Sequence, residues 1–249
     1  MHEQQLHPFH YRKVQALLPA DYESRLNMCA NIQNLHNTDE NFLSKILVTD
    51  EAGFGHEGPI NLHNLHYWND ENPHAIIERG FQDRFSLNVW AGIVEDHLIG
   101  PHFLPNRLSG EMYLNFLRNH LPLLLEDVPL QVRNSMWLLQ DGAPPHFSIE
   151  VREYLNEHFP NRWIGRRGFV EWAARSPDLN PMDFFFWSDL KTLVYKTPVN
   201  TLEQLRQRII ESCETIRQKQ GIFFKVHQSF LRRLNLCVEM EGQHFEHLL

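Results

Sequence analysis

The chain is expected to fold as a mixed α/β domain, and three observations point there. Read in order, its patterned segments run three strands, a helix, a strand, a helix, a short strand and then helices, an order that suits a sheet with helices packed on it. At 249 residues with 42% hydrophobic content it can bury a full core, as one domain or two. Two apolar runs, Ile46-Leu47-Val48-Thr49-Asp50 and Met136-Trp137-Leu138-Leu139-Gln140-Asp141, each end in an aspartate, as buried strands that deliver a carboxylate would.

Residues 1–19 hold Pro8, Pro19 and a basic Tyr11-Arg12-Lys13 and read as a linker. Asp21 suits a helix cap, with a helix to about residue 35 that places Tyr22, Leu26, Cys29 and Ile32 on one face. A strand is expected over 45–50, further extended segments over 60–68 and 84–94, and a partner strand over 98–104 after a Glu95-Asp96-His97 turn. Phe85, Leu87 and Val89 give the second of these a clear alternation. Ser109 opens a helix with Tyr113, Phe116, Leu117, Leu121 and Leu124 on one stripe, bent or ended near Pro122. A strand over 135–141 follows. Ser148 caps a helix to about residue 158, and Arg162-Trp163-Ile164 reads as a short strand. A helix over 181–195 comes next. Thr201-Leu202-Glu203-Gln204 is a capping box for a helix burying Leu205, Ile209, Cys213 and Ile216, with Gly221 as its stop. A last helix spans 222–238.

Charge and cysteine narrow the function. A net charge of −8 argues against a protein that simply coats nucleic acid. Basic residues nevertheless gather at Arg162, Arg166, Arg167 and Arg175, before Ser176, where they read either as a solvated loop or as contacts to a phosphate backbone. Three widely spaced cysteines, Cys29, Cys213 and Cys237, fit a reduced compartment and no disulfide framework. There is no run of eighteen apolar residues and no apolar signal segment, so an intracellular protein with no membrane partner is expected.

The most informative stretch is Ser176-Pro177-Asp178-Leu179-Asn180-Pro181-Met182-Asp183. Asn180 is a good N-cap and Pro181 suits the first helical position, so Asp183 falls in the first helical turn. Taken singly, such an aspartate answers the helix dipole, and an aspartate after a strand ends it with a turn. Taken together, two strand ends and one helix start can make a carboxylate cage for hard divalent cations.

Thr49-Asp50-Glu51-Ala52, Gln140-Asp141-Gly142-Ala143-Pro144-Pro145-His146 and the run from Ser176 to Asp183 resemble the three acidic motifs of mariner-type transposases. Phe184-Phe185-Phe186-Trp187-Ser188-Asp189-Leu190-Lys191 continues the likeness, which covers the chain from about Leu43 onward. The resemblance implies a ribonuclease H-like α/β fold: a mixed five-stranded sheet flanked by helices, with additional C-terminal helices, in which strands one and four bring Asp50 and Asp141 together. It implies a catalytic domain over 41–249, preceded over 1–40 by a linker and helix left after a missing helix-turn-helix module. Its catalytic and metal-holding residues are then Asp50, Asp141 and Asp183, with Asp50 bridging two Mg²⁺ ions (Mn²⁺ substituting) and each of the others holding one. The implied partners are DNA, as transposon ends and target, with a homodimer admitted and no small-molecule cofactor; the implied location is the nucleus. Glu51 is expected on the opposite strand face from Asp50, Asp178 in the turn, and His146 near Asp141.

Two other classes stay open. One is a domesticated binding protein that keeps the fold without transposing, since the usual glycines and prolines are replaced around Arg167, Phe169, Ala173 and Ala174. The other is a zinc protein, prompted by sixteen histidines and the pairs His63/His66 and His244/His247, though no Cys-x-x-Cys accompanies them.

Overall fold

The computed structural model describes residues 14–56 and 85–249. The extended segment expected over 60–68 and the His63/His66 pair lie outside these residues.

Six strands form one mixed sheet in the order β3-β2-β1-β4-β5-β6. Strands β1 (Ile46–Gly55), β2 (Ser86–Val94) and β3 (His97–Leu104) make an antiparallel meander. Strands β4 (Trp137–Leu139), β5 (Trp163–Gly165) and β6 (Val170–Glu171) extend it in parallel from β1. The expected five strands are thus corrected to six. The addition, β6, is two residues long, too short to show a period in the sequence. It follows a tight turn in which Gly168 has no room for a side chain, since a Cβ there would stand 2.9 Å from the Trp163 ring.

Alternation along β1 builds two cores. Ile46 and Val48 face α1 (Pro19–Thr38), α6 (Trp187–Val194), α7 (Leu202–Arg217) and α8 (Ile222–Glu239), packing with Ile32, Leu190, Ile209 and Phe230. Leu47 and Leu138 face α2 (Gly110–Asn119), α3 (Leu121–Leu124), α4 (Leu130–Ser135) and α5 (Ile149–His158), packing with Tyr113, Phe116 and Leu155. Ser109, Ser148 and Thr201 accept from the amides of Met112, Val151 and Gln204, as their sequence positions foretold. The helix from Ser109 breaks at His120 and resumes as α3 with Pro122 in its first turn.

Helix α1 departs from its expected face. Its buried residues are Asp21, Arg25, Met28, Cys29 and Ile32, while Tyr22 and Leu26 are only half-buried. A face chosen by hydrophobicity misses the two charged residues, which can be buried because each meets an opposite charge. All three cysteines are free and buried. Among the described residues no helix is long and apolar enough to cross a membrane.

Candidate active site

Parallel pairing sets the first two aspartates side by side. Ile46 faces Trp137 and Val48 faces Leu139, so the same step of 91 positions carries Asp50 to Asp141. Past the last paired residues, the Thr49 hydroxyl still donates to the Leu139 carbonyl at 2.7 Å and holds the strand ends together. β1 runs on to Gly55, but β4 stops at Leu139, which frees Asp141 to turn toward His146.

Asp183 arrives from a helix start. The side-chain oxygen of Asn180 accepts from the Met182 amide at 3.0 Å, and its carbonyl accepts from the amides of Asp183 and Phe184. The following turn, Met182–Phe186, is a widened π turn that leads into α6 rather than a continuous α-helix over 181–195. Such turns recur at functional sites. Four residues after Asp183, Trp187 donates its indole N–H to Asp50 at 2.8 Å. One helical segment therefore brings the third carboxylate and grips the first.

The acids crowd one another, and the protein only partly compensates their charge. Burial, then the charges of Asp183 and Glu51, push Asp50 up to about 8, against the Trp187 hydrogen bond. Burial and the Asp141 charge push Asp183 up to about 6, although its exposed side chain is open to screening by water. Burial also raises Asp141, but the hydrogen bond and charge of His146 outweigh it and leave Asp141 below the usual range. Excess negative charge on hard oxygen donors fits a divalent cation.

His146 and Glu51 contribute more than the sequence signalled. His146 is 3% exposed, its ring 4.4 Å from that of Tyr113. Its Nδ1 lies 2.5 Å from Asp141 and its Nε2 3.1 Å from Glu51. Burial opposes its charge, yet Glu51 and Asp141 together raise it to about 10, so it is an imidazolium at neutral pH. Glu51 does alternate to the other face of β1, where His146 relays its pull back to Asp141. Gln140 fixes the same turn, accepting from the Tyr113 hydroxyl and donating to the His146 carbonyl.

The four arginines have separate surroundings. Arg162 precedes β5, at the opposite end of that parallel strand from Asp141, and donates to the carbonyls of Asn134 and Met136. Arg175 is tied to Asp21. Arg166 and Arg167 are exposed in the β5–β6 turn; Arg166 lies over the Phe147 ring at 3.9 Å and beside Gly142. A cleft of about 320 Å³ is lined by Asp141, Asp183, Asn180 and Arg175.

Among the described residues, the one trio of metal-ligating atoms mutually within 4.8 Å is Glu95, Asp96 and His97. It is the β2–β3 turn, where the Asp96 side chain is 87% exposed and bonds His97. Asp50, Asp141 and Asp183 are accordingly spread wider than a cage for one ion.

A sheet of this order, with one carboxylate midway along central strand β1, a second just past its neighbour β4 and a third at a helix start, is a ribonuclease H-like fold. Among solved structures it matches a Mos1 transposase paired-end complex with left transposon end at TM-score 0.80 and 20% identity, over 98% of this chain and 69% of that one. It matches the Mos1 mariner transposase catalytic domain at TM-score 0.70 and 18% identity, over 94% of this chain and all of that one. In sequence, the chain is 28% identical over 209 residues to the transposable element Tc3 transposase of Caenorhabditis elegans, covering 82% of this chain. It spans 57% of the length of that curated relative. No family model matches. The chain is thus similar in sequence to the Tc3 transposase and in fold to the Mos1 catalytic domain.

Proposed function

We propose that this chain cleaves DNA phosphodiester bonds and transfers strands at transposon ends, with Asp50, Asp141 and Asp183 holding two divalent cations. The observation that carries this is geometric and electrostatic: aspartates more than forty residues apart in sequence come close enough to act on one another, burial first and their charges second raising Asp50 and Asp183, and Asp141 and Asp183 line one cleft. Mos1 structures solved with Mg and with Mn support the choice of ion, and the Mos1 paired-end complex supports DNA as the substrate.

Bound ions would activate the attacking oxygen and offset charge on the leaving one. The protein's own part is orientation. His146 fixes Asp141, Trp187 fixes Asp50, and the Asn180 cap fixes the turn bearing Asp183. Arg166 and Arg167, both exposed, would contact phosphates without reading bases. Action on DNA fits a chromosomal location, the nucleus in a eukaryotic cell.

The test is a Mn²⁺-dependent nicking assay on supercoiled plasmid. Wild type should nick and Asp141→Ala should not. Equal activity in both would remove the enzyme reading.

A further inference from the structure

The turn that sets Asp183 is itself held by α1. Arg25 is fully buried. Its Nε donates to the Gly242 carbonyl at 2.8 Å and its Nη1 to the Ser176 hydroxyl at 3.0 Å. Both terminal nitrogens grip Asp178, at 2.8 and 2.5 Å. One turn earlier on the same helix face, Asp21 takes both sides of the Arg175 guanidinium. From α8, Arg233 donates to the Asp178 carbonyl at 3.0 Å. The clamped segment, 175–178, runs straight into the turn Pro177–Leu179 and then Asn180, whose carbonyl receives the Asp183 amide.

Well-packed apolar residues fasten a helix to a core at least as well as a buried charge pair does. What the pair adds is direction, because a planar guanidinium fork fixes both the distance and the rotation of its carboxylate. Here the direction imposed is that of the segment leading to the third acid.

We propose that Arg25 is a positioning residue for Asp183: its grip on Asp178, backed by the Asp21–Arg175 pair, sets where the third carboxylate stands, so order in α1 is transmitted to the metal-holding site. The inference rests on the reading of Asp183 as a metal-holding acid.

Arg25→Lys keeps the charge and loses the fork; Asp178→Asn keeps the shape and loses the charge. Both are compared with wild type and Asp183→Ala by amide hydrogen exchange without metal and by direct Mn²⁺ titration followed by electron paramagnetic resonance. Amides of residues 179–186 should exchange about tenfold faster in both variants while β1 and β4 keep their protection, and Mn²⁺ affinity should fall about tenfold, as loss of a charged hydrogen bond implies. If Arg25→Lys loses protection everywhere, Asp178→Asn decides. Unchanged exchange at 179–186, or a uniform rise with no excess there, overturns the proposal. Equal Mn²⁺ affinity in wild type and Asp183→Ala would instead sink the metal reading of Asp183, and the exchange data would still judge the strap.

Discussion

Trp187 and Asp50 are joined by a 2.8 Å hydrogen bond across 137 residues, from the helix that carries Asp183 to the central strand of the sheet. The bond makes two of the three carboxylates one mechanical unit. Trp187→Phe should keep most of the packing, lose the donor and leave Asp50 unrestrained. Mn²⁺ affinity should fall about tenfold, the scale of one hydrogen bond to a charged group, with stability lowered by about 1–2 kcal/mol. Calorimetric titration giving wild-type affinity would show that the indole serves packing alone.

Crowded carboxylates make the site a source of instability without metal. Asp50→Asn removes one of the like charges, so it should abolish nicking and yet raise the melting temperature of the metal-free protein at pH 8. A variant that loses activity and stability together would show that the Asp50 carboxylate supports the fold more than its repulsion strains it.

The pH dependence has a definite sign. Asp50 is raised from 3.8 to about 8 and Asp183 from 3.8 to about 6, so the folded chain keeps protons that the unfolded chain has released. Stability of the metal-free protein should therefore fall as pH rises from about 4 to 8. His146, raised from 6.5 to about 10, stabilises fully below 6.5, and that contribution is lost as pH rises through about 10. The two effects add. Thermal melts should drop across this window, and millimolar Mn²⁺ should raise the melting temperature more at pH 8 than at pH 5 by binding the native state. A profile that is flat and indifferent to metal would refute the site.

Arg166 and Arg167 offer a separable test of DNA contact. Arg167 sits at φ +63°, a left-handed conformation that costs a side-chain-bearing residue about 1 kcal/mol. Arg167→Gly should raise stability and weaken DNA binding. Reversal of charge at both positions should weaken binding to all sequences alike and flatten its salt dependence. Arg162→Ala should leave DNA affinity unchanged and lower stability, because its guanidinium serves the carbonyls of Asn134 and Met136. Electrophoretic shifts at several salt concentrations would show tight, sequence-specific, salt-tolerant binding if the expectation is wrong.

Most of the architecture was legible because it is local. Caps at Ser109, Ser148 and Thr201, the alternation of β2 and the stripes of α2 and α7 are written in spacings of two to four residues. The three aspartates were singled out for the unusual strings that hold them, though β1 runs on past Asp50 to Gly55 rather than ending there. Other features depend on residues far apart in the chain. No local pattern reveals that Arg25 is buried, because a buried guanidinium is stable only opposite Asp178, 153 residues away. His146 carries no sign of its charge until Glu51 on β1 and Asp141 just past β4 close on it. The arginines looked alike in sequence, and only the parallel direction of β5 put Arg162 at one end and Arg166 at the other. Periodicity and capping, being short-range, are determined by the sequence itself. Charge pairing and the convergence of carboxylates depend on distances that only the packed sheet and helices set, and so were decided by the tertiary structure.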